Sequence, residues 1–186
     1  MSNVNPISLS LHHPLTLLRR NPLLSDLLLA DCNYDLDEVS TVIEPLLQAP
    51  KRCRVTGLYI QAVSRGSTAF LATNLIEDQI AEVTPISSSW LIGRSVACAI
   101  PIQHNSVSRR HAVIGHHPYD GFYIADLGSR NGTWVNRRRI VSSERQILQD
   151  GDFIQVGILG VEFFVASWGD LPANADETDI GLLDRP

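Results

Sequence analysis

GRSVACAIPIQHNSVSRRHAVI (Gly93–Ile114) and DLGSRNGTWVNRRRI (Asp126–Ile140) set the texture of the chain: short apolar, β-branched runs that end in polar turns. Asn131-Gly132 is a strong tight-turn signal between two such runs. The pattern extends outward in both directions. LYIQAV, TAFLAT, AEVTPI, SWLIGR, CAIPIQ, HAVIGH, FYIADL, TWVN, DFIQVG and VEFFVA succeed one another, separated by Gly, Ser, Asn, Asp and Pro. No convincing helical pattern intervenes. Many short strands with frequent turns predict an antiparallel β-sandwich or barrel over residues 57–167.

Upstream the period changes. Residues 1–13 are polar and read as a flexible N-terminus, and residues 14–56 as a helical extension. In DLDEVSTVIEPLLQAP, Asp35 is a candidate N-cap with Glu38 three residues on. Leu36, Val39, Val42, Ile43, Leu46 and Leu47 then recur at helical spacing and form one apolar stripe. Pro45 lies inside it and is expected to kink or shorten the helix. The stripe should be covered, either by the neighbouring β-rich region or by a partner helix. Downstream, WGDLPANADETDIGLLDRP (168–186) reads as an acidic tail.

The formal net charge of −5 is unevenly placed. Residues 91–145 hold eight arginines against Asp120, Asp126 and Glu144, whereas residues 146–186 hold eight acids against Arg185. A basic island therefore lies between acidic flanks. The only lysine is Lys51. A guanidinium grips phosphate oxygens through two parallel hydrogen bonds, which an ammonium does not. A lineage preference for arginine codons also enriches arginine, so composition alone does not decide.

Other chemistries find little footing. Cys32, Cys53 and Cys98 have neither a disulfide-framework nor a zinc spacing, and no metal or other cofactor is expected. The histidine pairs at 12–13 and 116–117 point to opposite faces of any strand and read as surface residues. In PLTLLRRNPLLSDLLLADC, Arg19, Arg20, Pro22, Asp26 and Asp31 interrupt the apolar run before the roughly 20 residues that a membrane span needs. No secretory signal pattern opens the chain. A soluble, cytoplasmic protein is expected.

A phosphorylated threonine brings nearly two negative charges and three acceptor oxygens. Arginine, a small hydroxyl and further donors converging from separate loops would meet it, as at the loop-bearing end of a sandwich. Arg94 follows Gly93 at the end of SWLIGR. Ser108 and Arg109 lie in QHNSVSRR, and Arg130 and Asn131 in the turn GSRNGT. IGR, SRRHA and DLGSRNGTWVN, in that order with strands between them, resemble a forkhead-associated (FHA) domain extending from near Ser67 to near Ala166.

That resemblance implies a mainly β fold, a sandwich of about eleven strands whose apical loops bind phosphothreonine peptides, here preceded by a short α-helical segment. Carried across by position, it implies that Arg94 and Ser108 contact the phosphate and Asn131 hydrogen-bonds the peptide backbone. Arg109 would lie beside the phosphate or the peptide. Gly93 and His111 would be architectural, with His111 bracing the loop, and Gly132 would permit the turn. Asn131 has a plain role in the turn as well. Arg130 departs from the family, which often has a small hydroxyl or other polar residue there; it adds positive potential or binds an acid on the ligand. The family selects its ligand largely by the side chain three residues after the phosphothreonine, a pocket not legible here. Arg137, Arg138 and Arg139 favour acidic ligands.

The expected function is a non-catalytic phosphothreonine-peptide-binding adaptor in signalling or assembly, its partner a threonine-phosphorylated protein. One alternative is a phospho-independent scaffold using the same fold, with the N-terminal helices meeting a further protein partner. Nucleic-acid binding through the arginine island is a weaker alternative, opposed by a pI near 5.6 and by the lack of aromatic residues interleaved with arginine. Enzyme motifs such as GxSxG and HExxH are absent, and Ser108 and His111 lack an orienting acid and an oxyanion hole. Finally, Thr178, flanked by Asp176, Glu177 and Asp179, suggests a tail that folds back onto the island when phosphorylated; an unmodified solubilising tail is the plainer expectation.

Overall fold

The computed structural model describes residues 22–65, 68–76, 82–84 and 87–167. The histidine pair at 12–13 and the tail with Thr178 lie outside the described residues. Among them, twelve strands form two sheets. One contains β1 (Tyr59–Arg65), β2 (Thr68–Thr73), β3 (Glu82–Val83), β8 (Thr133–Val135), β9 (Arg138–Arg139), β11 (Asp152–Val156) and β12 (Leu159–Ser167), ordered β3-β2-β1-β12-β11-β8-β9. The other contains β4 (Ser89–Gly93), β5 (Ile100–Pro101), β6 (Ala112–His117), β7 (Gly121–Asp126) and β10 (Arg145–Ile147), ordered β10-β7-β6-β4-β5. Neighbours are antiparallel except β1 with β12 and β4 with β5.

Alternation along the strands builds the core. Ile60, Ala62, Ala69 and Leu71 point inward with Val161 and Phe163, meeting Trp90, Ile92, Ile114, Phe122 and Ile124 of the opposite sheet. Phe122 joins the layers through rings, 6.3 Å from Trp90 and 6.1 Å from Phe163 between centroids. The apolar runs read from the sequence fall on β1–β8, β11 and β12, several of them longer than the strand they contain. β9 and β10 are additional. They are two and three residues long, arginine-bearing and on sheet edges, so they carry no apolar alternation. The turn at Asn136 and Arg137, with φ of 49° and 69°, folds RRR back onto TWV.

Residues on the other face of β1 and β2 explain why TAFLAT is almost wholly apolar: both faces are covered. Val63, Phe70 and Ala72 pack under helices α1 (Pro22–Asp31) and α2 (Leu36–Arg52), against Leu28, Val39, Val42, Ile43 and Leu46. Asp35 caps α2, its carboxylate accepting from the backbone N–H of Asp37 and Glu38. Leu36 departs from the expected stripe and is exposed, because it stands in the first turn, ahead of the packed face. Pro45 does not shorten α2, which runs on past it and past Pro50. Burial of Val39, Val42, Ile43, Leu46 and Ala49, each side chain contributing about 1.5–3 kcal/mol if large and fully covered, offsets the missing backbone bonds.

The exit from α2 is also tied down. Arg52 pairs with Asp150 at 2.6 Å, and its guanidinium lies 4.2 Å from the Phe164 ring centroid. The Glu162 carboxylate accepts from the N–H groups of Arg54, Val55 and Thr56 and from the Cys53 thiol. His116 is buried rather than on the surface, 4.7 Å from the Phe122 ring, and burial with its neighbour His117 lowers its pKa. His117 faces outward beside Asp120.

Candidate functional site

Three loops meet at one end of the sandwich. The first follows β4, the second joins β5 to β6, and the third joins β7 to β8. They approach closely because Gly93 has no side chain: a Cβ there would lie 2.4 Å from the Arg109 carbonyl oxygen. The second loop is then zipped to the first through Arg94 N–H to Ser108 O (2.9 Å) and Ser95 N–H to Arg109 O (3.1 Å). Gln103 Nε2 reaches the Arg94 carbonyl at 3.3 Å. The backbone of Arg94 is thus held on both sides while its side chain is exposed.

His111 joins the second loop to the third. It is fully buried, accepting from Ser108 N–H at Nδ1 (2.9 Å), with Nε2 2.9 Å from the Gly132 carbonyl. Since Nδ1 accepts, Nε2 carries the proton and donates, which fixes a neutral tautomer. Asp126 organises the third loop from below. Its carboxylate accepts from Gly128 N–H, Ser129 N–H and the hydroxyls of Ser129 and Thr133. Burial pushes its pKa up, but these hydrogen bonds outweigh burial and hold it below the ordinary carboxyl value. Gly132, at φ 83°, completes the turn.

The loops enclose an open cleft of about 500 Å³. Arg94, Ser108, Arg109, Arg130 and Asn131 all line it; Gly93, His111 and Gly132 lie beneath or beside it in buried positions. Ser108 Oγ accepts from Arg130 N–H at 3.1 Å, and among the described residues its own hydrogen has no acceptor. Asn131 Nδ2 donates to Ser106 O at 2.8 Å, bracing the second loop, and among the described residues its side-chain carbonyl has no donor. Asn105, Ser106 and Arg110 also line the cleft, and Asp126 supports it. The sequence reading did not single out these four. For Asp126 a signal existed: an Asp followed by Gly and Ser two and three residues on is an Asx-turn pattern. Arg110 lies in the quoted SRRHA motif without a role of its own.

The electrostatics are one-sided. Among the described residues no carboxylate pairs with the guanidinium of Arg94, Arg109, Arg110 or Arg130. Like charges gathered at a partly enclosed surface repel one another, and a bound anion relieves that repulsion. Among the described residues there is also no cluster of His, Cys, Asp and Glu able to hold a metal. No helix there is long and apolar enough to cross a membrane.

Parts of this chain are similar to known proteins. Human kanadaptin is 41% identical over 64 residues, covering 29% of this chain and 9% of that protein. Smad nuclear-interacting protein 1 of Mus musculus is 32% identical over 122 residues, covering 56% of this chain and 30% of its own length. This chain therefore spans less than a third of either relative. A solved structure from a study of phosphothreonine-dependent FHA domain interactions is 31% identical, covers 43% of this chain and 78% of that chain, and superposes with a TM-score of 0.38. The family model of the FHA domain, a non-catalytic binding module for protein interaction, matches residues 90–157, the segment that contains all three loops. The chain carries an FHA domain.

Proposed function

We propose that this chain reads phosphothreonine in a partner protein, through the cleft between the three loops. The observation that carries the reading is the convergence of unpaired polar groups on one small space. The Arg94 guanidinium, the Ser108 hydroxyl hydrogen and the Asn131 side-chain carbonyl all border the same cleft. The first two suit phosphate oxygens, since a guanidinium and a hydroxyl both donate. The carbonyl suits a peptide N–H. Arg109 and Arg130 add charge at the rim, while His111, Gly93 and Gly132 hold the geometry.

The α1–α2 layer bears on the scaffold alternative. Its apolar stripe is already covered by β1 and β2. A partner for α2 would meet its outer, polar side, whereas the arginine cleft presents groups suited to an anion.

Titration with a degenerate phosphothreonine peptide pool and its unphosphorylated counterpart tests the reading. Retention of the phosphorylated pool alone is expected, with the enriched residues defining the partner. Equal retention of the two pools, or a preference for single-stranded nucleic acid with a steep salt dependence, contradicts it.

A further inference from the structure

Arg139 is a cation that the phosphate site leaves unused. It stands in β9 directly opposite Trp134 of β8, on the outer face of the seven-stranded sheet. Its guanidinium carbon is 5.6 Å from the Trp134 ring centroid. A Cβ built on Gly132 would lie 2.7 Å from Arg139 Nε and 3.1 Å from the Trp134 ring. The guanidinium therefore rests on the bare Cα of Gly132, one residue beyond Asn131. Along the turn, Arg130 N–H meets Ser108, the Asn131 amide meets Ser106, and Gly132 meets Arg139. Arg139 is exposed, and among the described residues no carboxylate pairs with it.

Charge supplies the second, independent observation. One phosphothreonine brings at most about two negative charges. Arg94, Arg109, Arg110 and Arg130 at the cleft already exceed that, and Arg139 extends the excess past the turn. A ligand whose only charge were a single phosphate would leave this field largely unneutralised.

Building on the phosphothreonine reading, we infer that the ligand is an acidic segment whose second anionic group is met by Arg139, which lies against Trp134 and Gly132. The second group is a carboxylate or another phosphate; both match the planar fork of the guanidinium. Arg139 then sets which side-chain positions around the phosphothreonine favour acids.

Fluorescence anisotropy on the full chain separates these statements. The probes are a phosphothreonine peptide with neutral flanks, a set with one Asp or Glu moved along the flanks, and a set with a second phosphorylated residue there. One position should raise affinity about three- to tenfold over the neutral peptide, the range for a partly exposed, charge-assisted contact. In Arg139→Gln the gain should fall below about twofold, with neutral-peptide binding unchanged, and Arg139→Lys should restore only part of it. Comparing the carboxylate and phosphate sets identifies the source of the second charge. No gain in the wild-type protein overturns the inference, as does a gain that persists in Arg139→Gln. Equal loss of neutral-peptide binding in Arg139→Gln also overturns it, by showing that Arg139 only supports the turn. Failure of every phosphothreonine peptide to bind would instead sink the reading of the cleft on which this rests.

Discussion

His111 and Asp126 never reach the cleft surface, yet the positions of Ser108 and Gly132 depend on them. Replacing His111 with alanine orphans the part-buried N–H of Ser108 and the buried carbonyl of Gly132, at up to about 1–3 kcal/mol each. We therefore expect His111→Ala to lose several kcal/mol in urea unfolding and to weaken phosphopeptide binding together with stability. Arg94→Ala should weaken binding alone. Asp126 adds a pH signature. Because its folded pKa lies below the ordinary 3.8, its ionised form stabilises the fold above that value. The stabilisation is lost as pH falls from there through the folded value. Asp126→Asn should thus cost stability at neutral pH, and the gap from wild type should narrow in acid. A gap that stayed constant with pH would assign Asp126 to packing rather than charge. At this scale the sequence was legible in which residues the loops bring to one cleft, as for Arg94 and Ser108. It was less legible where a residue serves another loop, because the partner of Asn131 at Ser106 lies 25 positions away.

Among the elements, the strands with apolar alternation were readable, and the arginine-rich edge strands β9 and β10 were not. Their existence depends on the turn at Asn136–Arg137 and on pairing with β8 and β7, which local pattern does not encode. Helix α2 shows the opposite error. Pro45 argues locally against continuation, but the covered stripe prevails, since tertiary burial outweighs local propensity. Ile43, 1% exposed, sits in the middle of that stripe. Ile43→Ala should cost about 2–5 kcal/mol, typical of a buried aliphatic truncation. Because α2 packs on β1 and β2, unfolding should remain a single transition, with circular dichroism and tryptophan fluorescence coincident. Separate transitions would show that the helices are an independent unit.

For the molecule as a whole, the net charge of −5 conceals a basic end surface built from loops that the sandwich brings together. That asymmetry predicts a measurable salt response. Phosphopeptide binding should weaken as ionic strength rises, but far less than a polyanion making many phosphate contacts, which loses about 10³–10⁵ in affinity between low and moderate salt. The most direct test of the central claim is isothermal titration of the full chain and of Arg94→Ala with one selected phosphothreonine peptide and its unphosphorylated twin. The wild-type protein should bind only the phosphorylated peptide. Arg94→Ala, folded to the same thermal midpoint, should lose about 10- to 150-fold of that affinity, the worth of a hydrogen-bonded charge. Phosphorylation-independent binding, or an Arg94→Ala protein that binds as tightly as wild type, would contradict the claim.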